Sequence, residues 1–214
     1  MHKRNVKNLN EEVILTKDNY SLVNPIDEKD IKRKKVNGSY IYEKFYLIDF
    51  LDIKKDSYVI SSFGRLFSLI TQKELKPVSN SSRNNYASVQ LKLNDGKSKK
   101  FAIHRLVARA FVIKTTADKQ LDRKYVHHKN WDNDYNYYWN LEWRSQIELK
   151  IMERLNSNPE LQEADVVKEV CVLLERGTTI NDIHNMLGKF ISIDKISRVK
   201  SRQSYAFISR DYRF

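Results

Sequence analysis

Two adjacent histidines, His127 and His128, open a polar stretch that reads V-H-H-K-N-W-D-N-D-Y-N-Y-Y-W-N-L-E-W from Val126 to Trp143. An imidazole can take a proton from an attacking water, or it can hold a metal ion. The Asn and Asp side chains that follow bond their own backbone readily, which suits a loop of fixed shape. Hydrolysis of a phosphodiester asks for such a set. It needs a base for the water and a cation to offset charge gathering on the phosphate and the leaving oxygen. Adjacent histidines by themselves are more often plain surface residues, so the pair has to be weighed with its flanks.

Taken whole, the block resembles the core of HNH endonucleases of the phage and intron homing type. Their pattern is close to V-N-H-x-D-G-N-x-x-N-N-x-x-x-N-L-E-W, and the alignment needs no gap. The resemblance implies that His128 is the catalytic base and that His127 is the first ligand of one divalent ion. It places Asn136 on the second Asn of the N-N pair. Asn140 falls on the middle letter of the motif, where it would hold the loop by hydrogen bonds rather than touch substrate. Carboxamide, imidazole and water ligands with a substrate phosphate suit a hard ion, magnesium or manganese. Four positions depart from the pattern. Leu149 stands where the family has its second metal ligand, Asn130 replaces Asp, Trp131 replaces Gly, and Tyr135 replaces the first Asn of the pair.

The 214 residues carry a formal net charge of +12, which points to a polyanionic partner, nucleic acid before a membrane surface. A solvated lysine-rich surface is the plainer reading of the same number. One cysteine, Cys171, excludes an internal disulfide and a cysteine-rich zinc site. No apolar run is long enough to span a bilayer, and no secretory signal opens the chain. A cytoplasmic protein, encoded by a phage or mobile element in a bacterial host, is expected.

The elements that must position the histidines can be placed coarsely. Residues 1–44 form a polar arm whose cluster Lys32-Arg33-Lys34-Lys35 reads as a solvated run. Residues 45–114 turn to strands. Ser57 to Leu69 suggests two short strands around Gly64, which can take the positive φ a turn needs. Val89, Leu91 and Leu93 alternate onto one face, and Asn94-Asp95-Gly96-Lys97 makes a hairpin turn. Ile103, Leu106, Val107, Ala110 and Phe111 form one helical face, beside which His104 reads as a structural, hydrogen-bonding histidine. Y-V-I-S-S-F-G-R-L-F-S-L and I-H-R-L-V-A-R-A-F resemble a small module that precedes HNH cores and is associated with DNA binding. Arg65, Lys97, Lys99 and Lys100 are then expected near phosphates, with Arg65 alternatively bracing its turn.

Residues 115–156 hold the core as strand, loop, strand and helix. Ser145 is the expected N-cap and Glu148 its capping-box partner. A linker covers 157–164. Residues 165–214 read as three helices, with Gly177 as a C′ glycine and Thr179 and Ser192 as caps. Ile193, Ile196 and Val199 are expected inward on the third, and Lys195, Ser197, Arg198, Lys200 and Arg202 outward. That pattern describes a helix-turn-helix.

The expected fold is α+β: a small β-rich DNA-binding module, a ββα-metal core and a C-terminal three-helix helix-turn-helix domain. The expected function is metal-dependent hydrolysis of a phosphodiester in duplex DNA by a monomer that nicks one strand. A chain whose catalysis ended with Leu149, left as a sequence-specific DNA-binding regulator, is the alternative. RNA binding through Tyr135, Tyr137, Tyr138 and Trp139 is a weaker third reading.

Overall fold

The computed structural model describes residues 31–49, 52–78, 86–158 and 160–214. The fold is mixed α+β, and its residues divide into two compact units. One comprises Met1–Ile113 and Val126–Glu142, the other Lys114–Tyr125 and Trp143–Phe214. Of the expected arm, residues 1–30 lie outside the described residues.

Among the described residues of the first unit, the first element is a hairpin inside the segment expected as an arm. Strands β1 (Arg33–Val36) and β2 (Ser39–Tyr42) pair antiparallel. Asn37 and Gly38 close them with φ of 48° and 84°, the two positive values that a two-residue hairpin turn requires. The run of charges hides the alternation that makes the strand: Lys34 and Val36 are half-buried while Arg33 and Lys35 are exposed.

A four-stranded antiparallel sheet follows, ordered β3 (Phe45–Leu47), β4 (Tyr58–Ser61), β5 (Leu66–Ser68) and β6 (Lys73–Leu75). Phe45, Val59 and Phe67 are buried together on it. Strands β7 (Ser88–Lys92) and β8 (Ser98–Ala102) form a second hairpin with Val89 and Leu91 inward. Helix α1 (Ile103–Phe111) buries Ile103, Leu106 and Val107. Ala108 is also buried, whereas Ala110 and Phe111 at the end of the expected stripe are only half-buried. Strands β9 (Tyr125–His128) and β10 (Leu141–Arg144) form a two-stranded sheet, and a 3-10 turn over Tyr138–Asn140 leads into β10.

The second unit is helical: α2 (Thr116–Gln120), α3 (Gln146–Ser157), α4 (Glu163–Glu175), α5 (Ile180–Leu187), α6 (Ile193–Lys200) and α7 (Ala206–Ser209). Ile151, Met152 and Leu155 of α3 share one apolar core with Val170, Leu173, Ile183, Leu187, Ile196 and Val199. The helix expected with segment 115–156 therefore packs with the tail helices, and the short α7 was not anticipated. Ile193, expected inward, is 39% exposed. Among the described residues no helix is long and apolar enough to cross a membrane.

Arg123 sits at the centre of this unit's electrostatics. Its guanidinium is buried and donates to Glu148 at 2.9 Å, to Asp118 at 3.0 Å and to Asp182 at 3.5 Å. Glu148 and Asp118 are also the N3 carboxylates of capping boxes, closed by Ser145 at the start of α3 and Thr115 at the start of α2. One cation thus ties three helix N-termini, and no carboxylate in the set is left without a partner. Arg123→Met should lower the unfolding free energy by about 3–5 kcal/mol, because it leaves buried carboxylates uncompensated. Urea denaturation would show this; an unchanged midpoint would mean the cluster adds nothing.

Candidate active site

Successive side chains on a strand point to opposite faces, so adjacent histidines at the end of β9 cannot share one environment. His128 is 2% exposed, and its Nε2 lies 3.1 Å from Asn136 Oδ1. The Asn136 amide is held the other way round by Nδ2 donating to the Asp134 carbonyl at 3.3 Å. With Oδ1 toward the ring, His128 Nε2–H is the donor, and Nδ1 carries the lone pair of the neutral imidazole. Burial lowers the His128 pKa, partly offset by the Asn136 hydrogen bond and by Asp132 and Asp134. At neutral pH the ring is a base with one defined accepting atom.

Asn140 sets the loop. Its Nδ2 donates to Asn130 Oδ1 and to the Tyr135 carbonyl, each at 2.8 Å, and its Oδ1 accepts from Asn130 N–H at 3.2 Å. Its own carbonyl accepts from Lys129 N–H at 2.8 Å. The chain between the two strands is therefore closed by one buried carboxamide and does not contact solvent through it.

His127 lies on the opposite face, 8% exposed, its Nε2 enclosed and its ring edge-on to Trp131 at 4.7 Å between centroids. Trp131 has φ of 62°, the left-handed region that glycine enters at no steric cost and other residues at about 1 kcal/mol or more. Leu149 is half-buried on α3 and offers no donor atom. Among the described residues no group of three or more His, Cys, Asp or Glu side chains could hold a metal ion. His127 is the only donor the related pattern assigns here, so an ion bound beside it would rest mainly on water and substrate phosphate oxygens.

Two segments missed by sequence reasoning complete the site. The β4–β5 turn docks on the loop. The Ser62 carbonyl accepts from Tyr138 N–H at 2.9 Å, and Phe63 stands edge-on to Tyr137 and Trp139 at 5.2 and 5.3 Å. Gly64, at φ 85°, approaches so closely that an added Cβ would lie 2.9 Å from Asn136 Cβ. The second segment is α1. His104 is 3% exposed with its ring centroid 5.1 Å from that of His128, and the Tyr86 ring lies against both, at 4.4 and 5.9 Å. Its Nδ1 is buried with no hydrogen-bond partner, so the expected hydrogen-bonding histidine instead packs by its ring on that side. The strand-turn glycine and a histidine one position off the apolar stripe were the available signals; neither says which distant segment it meets.

The residues expected near phosphates fall in different settings. Arg65 donates to Glu43 at 2.9 Å and Glu74 at 2.8 Å with a side chain 15% exposed; it braces the turn, and its charge is already taken up. Lys97, Lys99 and Lys100 are exposed on the β7–β8 hairpin, with Lys97 paired to Asp95 at 3.3 Å. On α6, Ser197, Arg198 and Lys200 are exposed, but Lys195 is ion-paired with Glu163. Arg202 lies beyond the helix, which ends at Lys200. It has φ of 60°, and its Nη2 donates to the Tyr212 carbonyl at 3.1 Å.

No family model matches the chain. Over 88 residues it is 39% identical to a curated protein of Acanthamoeba polyphaga mimivirus described as "Uncharacterized HNH endonuclease L247". The match covers 41% of this chain and 21% of that protein, so the chain spans about a fifth of the relative's length. Among solved structures it is similar to the HNH homing endonuclease I-HmuI, in a structure of DNA binding and cleavage by that enzyme. The identity is 21% and the TM-score 0.43, covering 73% of this chain and 88% of that one.

Two outcomes follow from the geometry. Gly64→Ala should destabilise the protein by more than about 1 kcal/mol, since it combines a positive φ with a clash; a thermal midpoint equal to wild type would show that the loop yields freely. Burial, with His128 and Arg105 adding, lowers the His104 pKa to about 3 from 6.5. Between those values the unfolded chain binds a proton that the folded chain refuses. Stability is therefore complete above about pH 6.5 and falls as the pH drops toward 3. His104→Gln should flatten that fall in unfolding midpoints measured from neutral to acid pH, and an equally steep fall would remove His104 as its source.

Proposed function

We propose that the chain is an HNH-type endonuclease that hydrolyses a phosphodiester in duplex DNA and nicks one strand. The observation that carries the reading is the buried His128–Asn136 pair, with the loop around it closed by Asn140. His128 Nδ1 takes the proton of a water as the water oxygen attacks phosphorus; the bond to the leaving oxygen breaks, and that oxygen takes up a proton from solvent water. Asn136 keeps the ring in the tautomer that frees Nδ1, and Asn140 keeps Asn136 in place through the loop. The resemblance of the block to HNH cores and the match to the mimivirus protein support the same class.

The net charge of +12 supports binding to duplex DNA, with the β7–β8 lysines and the exposed Ser197, Arg198 and Lys200 of α6 as contacts. Dependence on magnesium or manganese, and action as a monomer in a cytoplasm, belong to the same proposal. A second reading has an observation of its own. Leu149, which offers no donor where the related pattern has its second metal ligand, is the ground for the alternative of a DNA-binding regulator that does not cut, and the match to a protein described as an HNH endonuclease does not favour it.

Supercoiled plasmid separates the two. Wild-type protein is incubated with it in magnesium, in manganese and in chelator. Endonuclease function predicts conversion to the relaxed circle, and His128→Ala should slow that by about 10²–10⁴ with DNA affinity little changed. Binding with no relaxation under any condition would favour the regulator. Relaxation by His128→Ala at the wild-type rate would remove this histidine from the mechanism.

A further inference from the structure

We propose that the exposed face of the β1–β2 ribbon is a binding surface for the phosphates of duplex DNA; this rests on the DNA-directed reading above. From sequence alone, Lys32 to Lys35 is a solvated charge run. The hairpin sorts it. In the antiparallel register Arg33 faces Tyr42 and Lys35 faces Tyr40, so these four side chains share one side of the ribbon. All four are exposed, the tyrosines at 55% and 56%. These strand positions present two cations and two hydroxyls and no carboxylate. Among the described residues the nearest acid in sequence, Glu43, is turned inward at 3% exposure and accepts from Arg65 and from Lys32 N–H. The Arg33 guanidinium lies 4.8 Å over the Tyr40 ring, which orders it without neutralising it.

The opposite face explains why such a ribbon is fixed rather than loose. Lys34 lies with its ammonium 4.2 Å over Tyr137 and 4.9 Å over Tyr135, and Tyr137 stacks on Trp139 at 4.8 Å. These aromatics flank Asn136 in the loop that carries the His128 partner. The ribbon is thus seated on the candidate site, with its cationic face outward. Arg, Lys and Tyr are side chains that position a protein on phosphates, and a two-stranded ribbon has the width to enter the major groove. Of the loop aromatics, Tyr135 and Tyr137 meet Lys34 of the ribbon, and Trp139 backs Tyr137 from within the loop.

The test is equilibrium binding of the full chain to a mixed-sequence DNA duplex across a range of salt. Every cation removed from a phosphate should reduce the slope of log K against log salt by about 0.9. Lys35→Gln should show one such step, and Arg33→Gln with Lys35→Gln about 1.8 in all. Arg33→Lys with Lys35→Arg, which keeps both charges, should keep the wild-type slope. Tyr40→Phe with Tyr42→Phe should weaken binding with the slope unchanged. All four residues are exposed, so thermal midpoints should stay near wild type; Lys35→Gln, which spares the Arg33–Tyr40 pair, gives an independent reading if the double variant unfolds early. A wild-type chain that binds duplex DNA, with the same slope in Lys35→Gln and in the double variant, overturns the inference alone. A wild-type chain with no affinity for the duplex overturns the DNA-directed reading as well. Variants that fail on single-stranded RNA while keeping duplex binding intact would assign the face to RNA and overturn the proposal.

Discussion

The close approach of Gly64 to Asn136 is the constraint on which the candidate site depends. The β4–β5 turn and the loop after β9 are about seventy residues apart in sequence, and only a residue without a side chain lets their backbones meet there. The approach determines where the Asn136 amide can lie. That amide in turn decides which nitrogen of His128 is protonated. Phe63 and the Ser62 carbonyl fasten the turn to the same loop, so the His128 ring is oriented by a backbone approach rather than by a charged neighbour. Energetically the ring is set by packing. No desolvated carboxylate has to be accommodated beside the ring, and burial alone keeps the ring neutral.

Much of the local structure was legible because its causes are local. The Ser145–Glu148 box, the caps at Thr179 and Ser192 and the C′ glycine at 177 are each decided by residues within a few positions of one another. The hairpin at Asn94 to Lys97 belongs to the same kind. What escaped was set by partners far away in sequence. Arg123 looks like one basic residue among 39 Lys and Arg until three helix N-termini converge on it. Arg65 keeps its alternative roles until Glu43 and Glu74 arrive. His104 looks structural because nothing in its neighbourhood mentions His128. Charge runs misled in a different way. In Lys32 to Lys35 and on α6, composition suggested a uniform basic surface. Strand alternation and the Glu163 ion pair split each run into cations with different jobs.

Trp131 shows how a departure from a pattern can be read at two levels. As a residue type it is far from glycine. As a backbone position it lies at φ 62°, a conformation that glycine enters at no steric cost. That conformation is held here under a side chain that disfavours it. The surrounding hydrogen bonds, among them Trp131 N–H to the His128 carbonyl at 2.9 Å, over-determine the turn. The indole packs against His127, the two rings standing near perpendicular at 76°.

The loop that Asn140 closes is tied chiefly by carboxamides and main-chain amides. Neither group ionises in the range where proteins fold, and neither gathers counterions. Its geometry should be little affected by salt. The ribbon seated on it presents cations, whose attraction for any polyanion fades steeply as salt rises. The same unit thus joins a frame that is deaf to ionic conditions to a surface that is governed by them. The environment can set how often the frame meets a partner without altering the frame.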